Sequence, residues 1–305
     1  MKILSVNNLK KFILIITSSF DKTVDILINK YKSKYFFIRI NLDNINKYKI
    51  SITDDGIFYE YDSKLINLFE SIKSIYFRKI FLPDLLDYDK NYRNFMHKEI
   101  YNFIVGLADS FDGKVLSKPS LLRQVENKVY QLHLAKKFNF LIPKSIITND
   151  ENYINNKLEL NKWIVKPLSM GKITENKKIL TNVLTSKVNN IEFSPTYFQS
   201  KIEKDYELRV TYINGFFYCV RIDSNKVDWR DDMSVKYTLV DTPDIVKKEC
   251  IEFLEYTGLI FGAFDYIVKN NQYYFLECNP NGQWLWLENE LNLDISNKIL
   301  GYLDE

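Results

Sequence analysis

The sequence predicts an α/β chain built as three lobes. Strand and helix patterns alternate over residues 1–117, strands dominate from Thr196 onward, and a late strand–turn–strand segment puts oxygen-bearing side chains on one face. With 305 residues, 46% of them apolar and 27% charged, the chain can bury a large core and is no disordered segment.

The first strand is expected at Phe12 to Thr17. It leads through Ser18-Ser19-Phe20-Asp21 into a helix over residues 22–31, with Asp21 as N-cap. Strands at 35–40 and 74–79 flank a hairpin signalled by Asp54-Asp55-Gly56. Pro119 opens one long helical pattern that runs through Leu121, Val125, Leu132 and Phe138 and ends before Pro143. Strand signals follow at 144–148, 163–166 and 178–183, making a second lobe over 118–196. In the third lobe, 197–305, strands at 197–202, 206–213 and 216–222 precede a helix at 245–256, the late hairpin and a closing helix near 295–303. Lys10 and Lys11 ahead of Phe12-Ile-Leu-Ile-Ile16 resemble a signal sequence, but the run is too short and lacks a cleavage site.

In the hairpin, Gly-Ala-Phe-Asp265-Tyr-Ile-Val is followed by Tyr-Phe-Leu-Glu277-Cys-Asn279-Pro-Asn-Gly-Gln-Trp284. Alternation along a strand points Glu277 and Asn279 the same way, and a three-residue loop at 270–272 pairs Asp265 opposite Glu277. Phe264, Tyr266, Val268, Tyr274, Leu276 and Cys278 then form the core face. Magnesium takes one or two protein carboxylates together with waters and substrate phosphates, so this sparse set suits a metal–nucleotide complex. A solvated strand face is the alternative reading.

Lys+Arg 42 against Asp+Glu 39 gives a formal charge of +3, which by itself implies neither a nucleic-acid nor a membrane partner. Cys219, Cys250 and Cys278 have no metal-ligand spacing and predict a reduced, cytoplasmic setting, and His97 and His133 are too few for a histidine-built zinc site. No run approaches the length of a membrane-spanning helix.

Asp265 together with Glu277-x-Asn279-Pro-Asn-Gly-Gln-Trp284 resembles the terminal signature of the ATP-grasp ligases, and most of all the graspetide synthetases, which cross-link ribosomal precursor peptides. The resemblance continues upstream through Glu-Asn-Lys128, Ile-Val-Lys166-Pro and Tyr197-Phe-Gln199-Ser-Lys201-Ile202. It implies a three-lobed ATP-grasp fold whose first lobe is a pre-ATP-grasp α/β domain. It also implies ATP and magnesium as cofactors, with Asp265, Glu277 and Asn279 on the metal and Lys128 and Lys166 on the α- and β-phosphates. Gln199, Lys201 and Ile202 would border the adenine, Glu207 would take the ribose hydroxyls, and Arg209, on the same strand face, would meet the γ-phosphate. Asp228-x-Arg230 would face the peptide's acidic side chain. Each lysine taken singly also reads as a surface group, and Arg221 with the 228–232 stretch as a surface ion-pair network. Arg78 matches an arginine at the edge of the first lobe, with a structural ion pair as the stronger reading.

One departure concerns the phosphate cover, for which Leu168-Ser169-Met170-Gly171-Lys172 offers a single glycine. No P-loop pattern is present.

The implied activity is ATP-dependent activation of a peptide Asp or Glu as an acyl phosphate, which a hydroxyl or amine then attacks to close an ester or amide ring. The partner would be a precursor peptide with a leader and an acidic core, and the enzyme would be a homodimer. An ATP-grasp ligase that adds a free amino acid, and a nucleotide-binding regulator without turnover, are the rival readings.

Overall fold

The computed structural model describes residues 11–61, 63–169, 172–174, 177–178 and 181–305. It divides into two compact units, residues 1–122 with 294–305, and residues 123–293.

In the first unit β1 (Phe12–Thr17) lies fully buried and feeds α1 (Lys22–Tyr31), whose N-cap Asp21 accepts from the Thr23 N–H. β2 (Phe37–Asn41) precedes the antiparallel sheet of β3 (Ile50–Thr53), β4 (Gly56–Tyr61) and β5 (Lys64–Asn67). After α2 (Leu68–Ser71) come β6 (Ile72–Phe77), α3 (Lys90–Asp109), β7 (Lys114–Leu116) and α4 (Pro119–Val125). The main sheet runs β2-β1-β6-β7 and is parallel throughout, so both of its faces need cover and β1 reads as an unbroken apolar run. Arg78, directly after β6, is 1% exposed and ion-paired to Asp21 at 3.1 Å, in keeping with its structural reading. The C-terminal helix, Ile295–Asp304, packs on β6 and β7 and bonds through Asp304 to Lys73. That helix was expected in the last lobe and belongs with the first unit.

The second unit opens with α5 (Lys128–Lys137). The long helix expected from Pro119 is broken here because the Asn127 side chain accepts from the Val129 and Tyr130 N–H groups, capping a new helix at Lys128. β8 (Ser145–Thr148), α6 (Glu151–Lys157), β9 (Trp163–Lys166), β10 (Lys172–Thr174), β11 (Lys177–Lys178), β12 (Asn182–Val183) and β13 (Thr196–Ser200) follow. Four of these strands form an antiparallel sheet in the order β12-β9-β13-β8. The sheet boundary therefore falls after Ser200 rather than at 196, because β13 pairs with both β8 and β9.

The second sheet of this unit has the order β16-β15-β14-β17-β18, from β14 (Tyr206–Ile213), β15 (Phe216–Asp223), β16 (Lys236–Val240), β17 (Phe261–Lys269) and β18 (Gln272–Asn279). α7 (Asp244–Thr257) packs on β17, and α8 (Leu285–Leu291) follows β18. The remaining helix, α9, is the C-terminal one described above.

Candidate active site: a cation and carboxylate cleft

Asp265 does lie opposite Glu277, but by a different route from the one the sequence suggests. The turn has two residues, Asn270 and Asn271, both with positive φ, so Lys269 pairs with Gln272. A bulge between Asp265 and Tyr266 then restores the register. Its extra residue exchanges the faces of the outer half of β18. Phe275, 2% exposed, is the core residue, whereas Tyr274 is half-buried and Leu276 joins the cleft wall with Ile267. Phe264, Tyr266, Val268 and Cys278 are buried as expected.

On the other side of β17, Arg209 is the register partner of Asp265 and bonds its carboxylate at 2.8 Å, with the two side chains 5% and 10% exposed. Glu207 lies one pleat along on the same face of β14. Lys128, at the start of α5, donates to the Pro167 carbonyl at 2.9 Å and approaches Glu277 to 3.7 Å. α5 is held there by Gln131, whose amide donates to the Cys278 carbonyl at 2.7 Å and accepts from the Cys278 N–H at 2.8 Å. Lys166 ends β9 beside the Tyr197 ring, 5.3 Å from its centroid.

Lys128, Lys166, Glu207, Asp265 and Glu277 line one cleft of about 300 Å³ within the second unit, together with Gln199, Lys201, Ile202, Asp228 and Arg230, and Arg209 is joined to it through Asp265. Burial and the neighbouring Lys128 charge lower the Lys166 ammonium to about 8, against support from Glu277, Asp265 and Glu207. Burial alone would raise the Glu277 carboxyl, but Lys128, Lys166, Arg230 and Arg209 outweigh it and hold the group low. Glu207 is pushed up by burial and by Asp265 and Asp228, against the Lys204 ammonium bonded to it.

Asp228 caps a single helical turn at Trp229–Asp231 and holds Arg230 at 3.1 Å, while the other arm of Arg230 comes within 3.9 Å of Asp265. Arg221 stays outside this group. It pairs with Asp223 at 2.7 Å and lies over the Tyr206 ring, as a surface ion pair does. Asn279 does not line the cleft, and its Oδ1 accepts from the Asn281 N–H at 3.2 Å. Gly282 has a steric reason, since a Cβ there would stand 2.6 Å from the Ala263 Cβ and 2.8 Å from Arg209 Nη2. Of the phosphate-cover segment, Met170 and Gly171 lie outside the described residues, as does the Lys172 side chain.

The site fits a magnesium nucleotide on two observations. Arg209 Nε and Gln199 Oε1 are buried without a hydrogen-bond partner, a donor suited to phosphate and an acceptor suited to an amino group. Asp265 and Glu277 are cross-strand carboxylates, as many as magnesium usually takes from protein. Among the described residues no three His, Cys, Asp or Glu side chains group as a metal site, so any further ligands would come from Asn279, water and phosphate.

The chain superposes on the macrocyclase MdnC bound with precursor peptide MdnA, from Microcystis aeruginosa MRC, with a TM-score of 0.85, 24% identity and coverage of 96% of this chain and 99% of that one. The chain has the ATP-grasp fold. A RiPP-associated ATP-grasp ligase from Chryseobacterium gregarium, in complex with ADP and a leader and core peptide, matches at 0.81 with 28% identity over 95% and 94% of the two chains. D-alanine–D-alanine ligase from Bacillus anthracis, complexed with ATP, matches at 0.57 with 15% identity over 96% and 95%. The likeness of this ATP-grasp chain is thus greater to the ribosomal-peptide ligases, in agreement with the resemblance carried by Glu277 to Trp284. No protein-family model and no curated protein matches the sequence.

Sequence reasoning missed the roles of Gln131 and Lys204. A glutamine that bridges to a strand backbone, or a lysine that pins a carboxylate three residues on, leaves no pattern in one sequence.

Proposed function

We propose that the chain is an ATP-dependent ligase that activates Asp or Glu side chains of a ribosomally made precursor peptide and closes them into ester or amide rings. The observation that carries this reading is the meeting of Lys128, Lys166, Asp265 and Glu277 in one cleft of an ATP-grasp chain, with Arg209 paired to Asp265 at its edge. Lys128 and Lys166 hold the α- and β-phosphates, and Arg209 takes the γ-phosphate through its free Nε. Gln199, Lys201 and Ile202 border the adenine, the Gln199 acceptor facing the exocyclic amino group, and Glu207 takes the ribose hydroxyls. Because the Lys201 N–H already donates to the Lys162 carbonyl at 2.9 Å, that residue offers the base its carbonyl only.

Asp265, Glu277 and Asn279 would hold magnesium, which supplies charge stabilisation to the phosphates when bound. Arg209 pairs with Asp265, and Lys128 approaches Glu277. Arg209 and Lys128 are therefore placed to exchange carboxylate for phosphate with little movement of the backbone. Arg230, ordered by Asp228, grips the peptide carboxylate, so the substrates supply both reacting groups and the protein supplies position and charge.

Among the described residues no helix is long and apolar enough to cross a membrane. A cytoplasmic homodimer acting on a leader-bearing peptide is the setting we propose. Incubation with the acidic peptide encoded beside its gene, ATP and magnesium tests the reading by mass. Loss of one water per ring, dependent on ATP, is expected, whereas ATP-dependent attachment of a free amino acid would favour the rival ligase.

A further inference from the structure

The turn that carries Arg230 is short, and its own hydrogen bonds fix its shape rather than its place. Asp228 accepts from the Arg230 N–H and from the Arg230 guanidinium, both at 3.1 Å and both within the turn. At its base, Lys204 donates to the Lys226 carbonyl at 2.6 Å and Ser224 to Asp232 at 2.6 Å. Half of the Arg230 side chain is exposed, so burial does not orient it.

Besides Asp265, what reaches the turn from elsewhere among the described residues is aromatic. Trp229 lies 5.2 Å from Trp286 of α8 with the rings 35° apart, and 5.9 Å from Tyr237 of β16 at 87°. Tyr237 and Trp286 close the triangle at 4.9 Å. The Arg230 guanidinium sits 4.8 Å from the centre of the Trp229 ring, and its other arm comes within 3.9 Å of Asp265. A continuous line of contact therefore runs from α8 through Trp229 to the guanidinium and the cleft. Offset and edge-to-face ring pairs, and a cation over an indole, are each favourable and orientation-dependent.

We infer that Trp286 is a positioning residue for Arg230, acting through Trp229 to aim the guanidinium into the cleft. Trp286 itself lines no part of the cleft, and this inference rests on the reading of Arg230 as the group that grips the peptide.

The test compares Trp286→Ala, Trp286→Phe, Arg230→Ala and the Trp286→Ala/Arg230→Ala double variant. It reads peptide kcat/KM at saturating magnesium–ATP, ADP affinity, and the near-ultraviolet circular dichroism of the indole pair. Trp286→Ala should lower kcat/KM at least about tenfold, the scale of a misplaced positioning group, with ADP affinity unchanged and the dichroic signal lost. Trp286→Phe should restore most of the rate, and the double variant should be no worse than Arg230→Ala alone, because both changes remove one function. If Trp286→Ala does not fold, Trp286→Leu, which keeps apolar volume without the ring, carries the same expectation. A normal kcat/KM in the Trp286 variant beside an impaired Arg230→Ala would overturn the inference, as would additive losses in the double variant. An unimpaired Arg230→Ala would overturn the peptide reading itself.

Discussion

Raising the pH from about 7 to about 9 should weaken nucleotide binding about tenfold, and one lysine should account for it. Lys166 is 9% exposed, and burial beside Lys128 brings its ammonium from the ordinary 10.5 to about 8. About nine-tenths of it is then protonated near pH 7 and about one-tenth near pH 9, and only the charged form attracts phosphate. The effect on folding has the opposite sign. The folded value lies below the unfolded one, so the native state binds fewer protons between about 8 and 10.5. Ligand-free stability from this group therefore rises with pH across that window while nucleotide affinity falls. Calorimetric titration with ADP at fixed magnesium, on the wild type and Lys166→Met, reads the step. The variant should bind weakly with no step. Glu277→Gln, which removes the largest charge supporting the ammonium, should move the step below about 8. A wild-type affinity that is flat across this range, or a step that survives in Lys166→Met, would refute the reasoning.

Three further outcomes are expected. Glu277→Gln should fold normally yet lose condensation by roughly a hundredfold, the scale of one preorganised electrostatic contact, and a fully active variant by product mass would remove the metal assignment. Arg209→Ala should weaken productive ATP use, whereas Arg230→Ala should reduce ring formation to a small residual rate with ATP affinity near wild type; equal loss of nucleotide binding in both would end that division of roles. Gln131→Leu should strip the Cys278 N–H and carbonyl of their partners at a cost of about 2–4 kcal/mol, and an unchanged urea midpoint would show that water replaces the amide.

The strands were legible wherever one face had to be buried. β1, β9 and β14 lie where alternation or an apolar run put them, because both patterns follow from burial in a sheet. The pairing of Asp265 with Glu277 was right through two compensating differences, a shorter turn and a bulge, and the second of these exchanged Leu276 for Phe275 in the core. A bulge of this kind depends on neighbouring strands, and one sequence does not show it. α3 escaped notice because only Ile104, Leu107 and Ala108 of its twenty residues are buried, too few to make a stripe. The packing of α9 on β6 joins residues more than two hundred positions apart, which no local pattern records.

Within the site, spacing alone could justify only the β17–β18 pair. Lys128, Lys166 and Glu207 came from resemblance, and their convergence became visible once α5, β9 and β14 were assembled around that pair. Arg221 shows the limit of proximity in sequence. It is seven residues from Asp228, yet it turns to Asp223 and away from the cleft.

The central claim, that a peptide carboxylate is activated by ATP, is tested most directly by isotope transfer. The precursor peptide would carry heavy oxygen in its Asp and Glu side chains, and the phosphate released during ring closure would be weighed. Activation through an acyl phosphate predicts one heavy oxygen in phosphate for every ring formed. Rings closed with unlabelled phosphate would contradict the account.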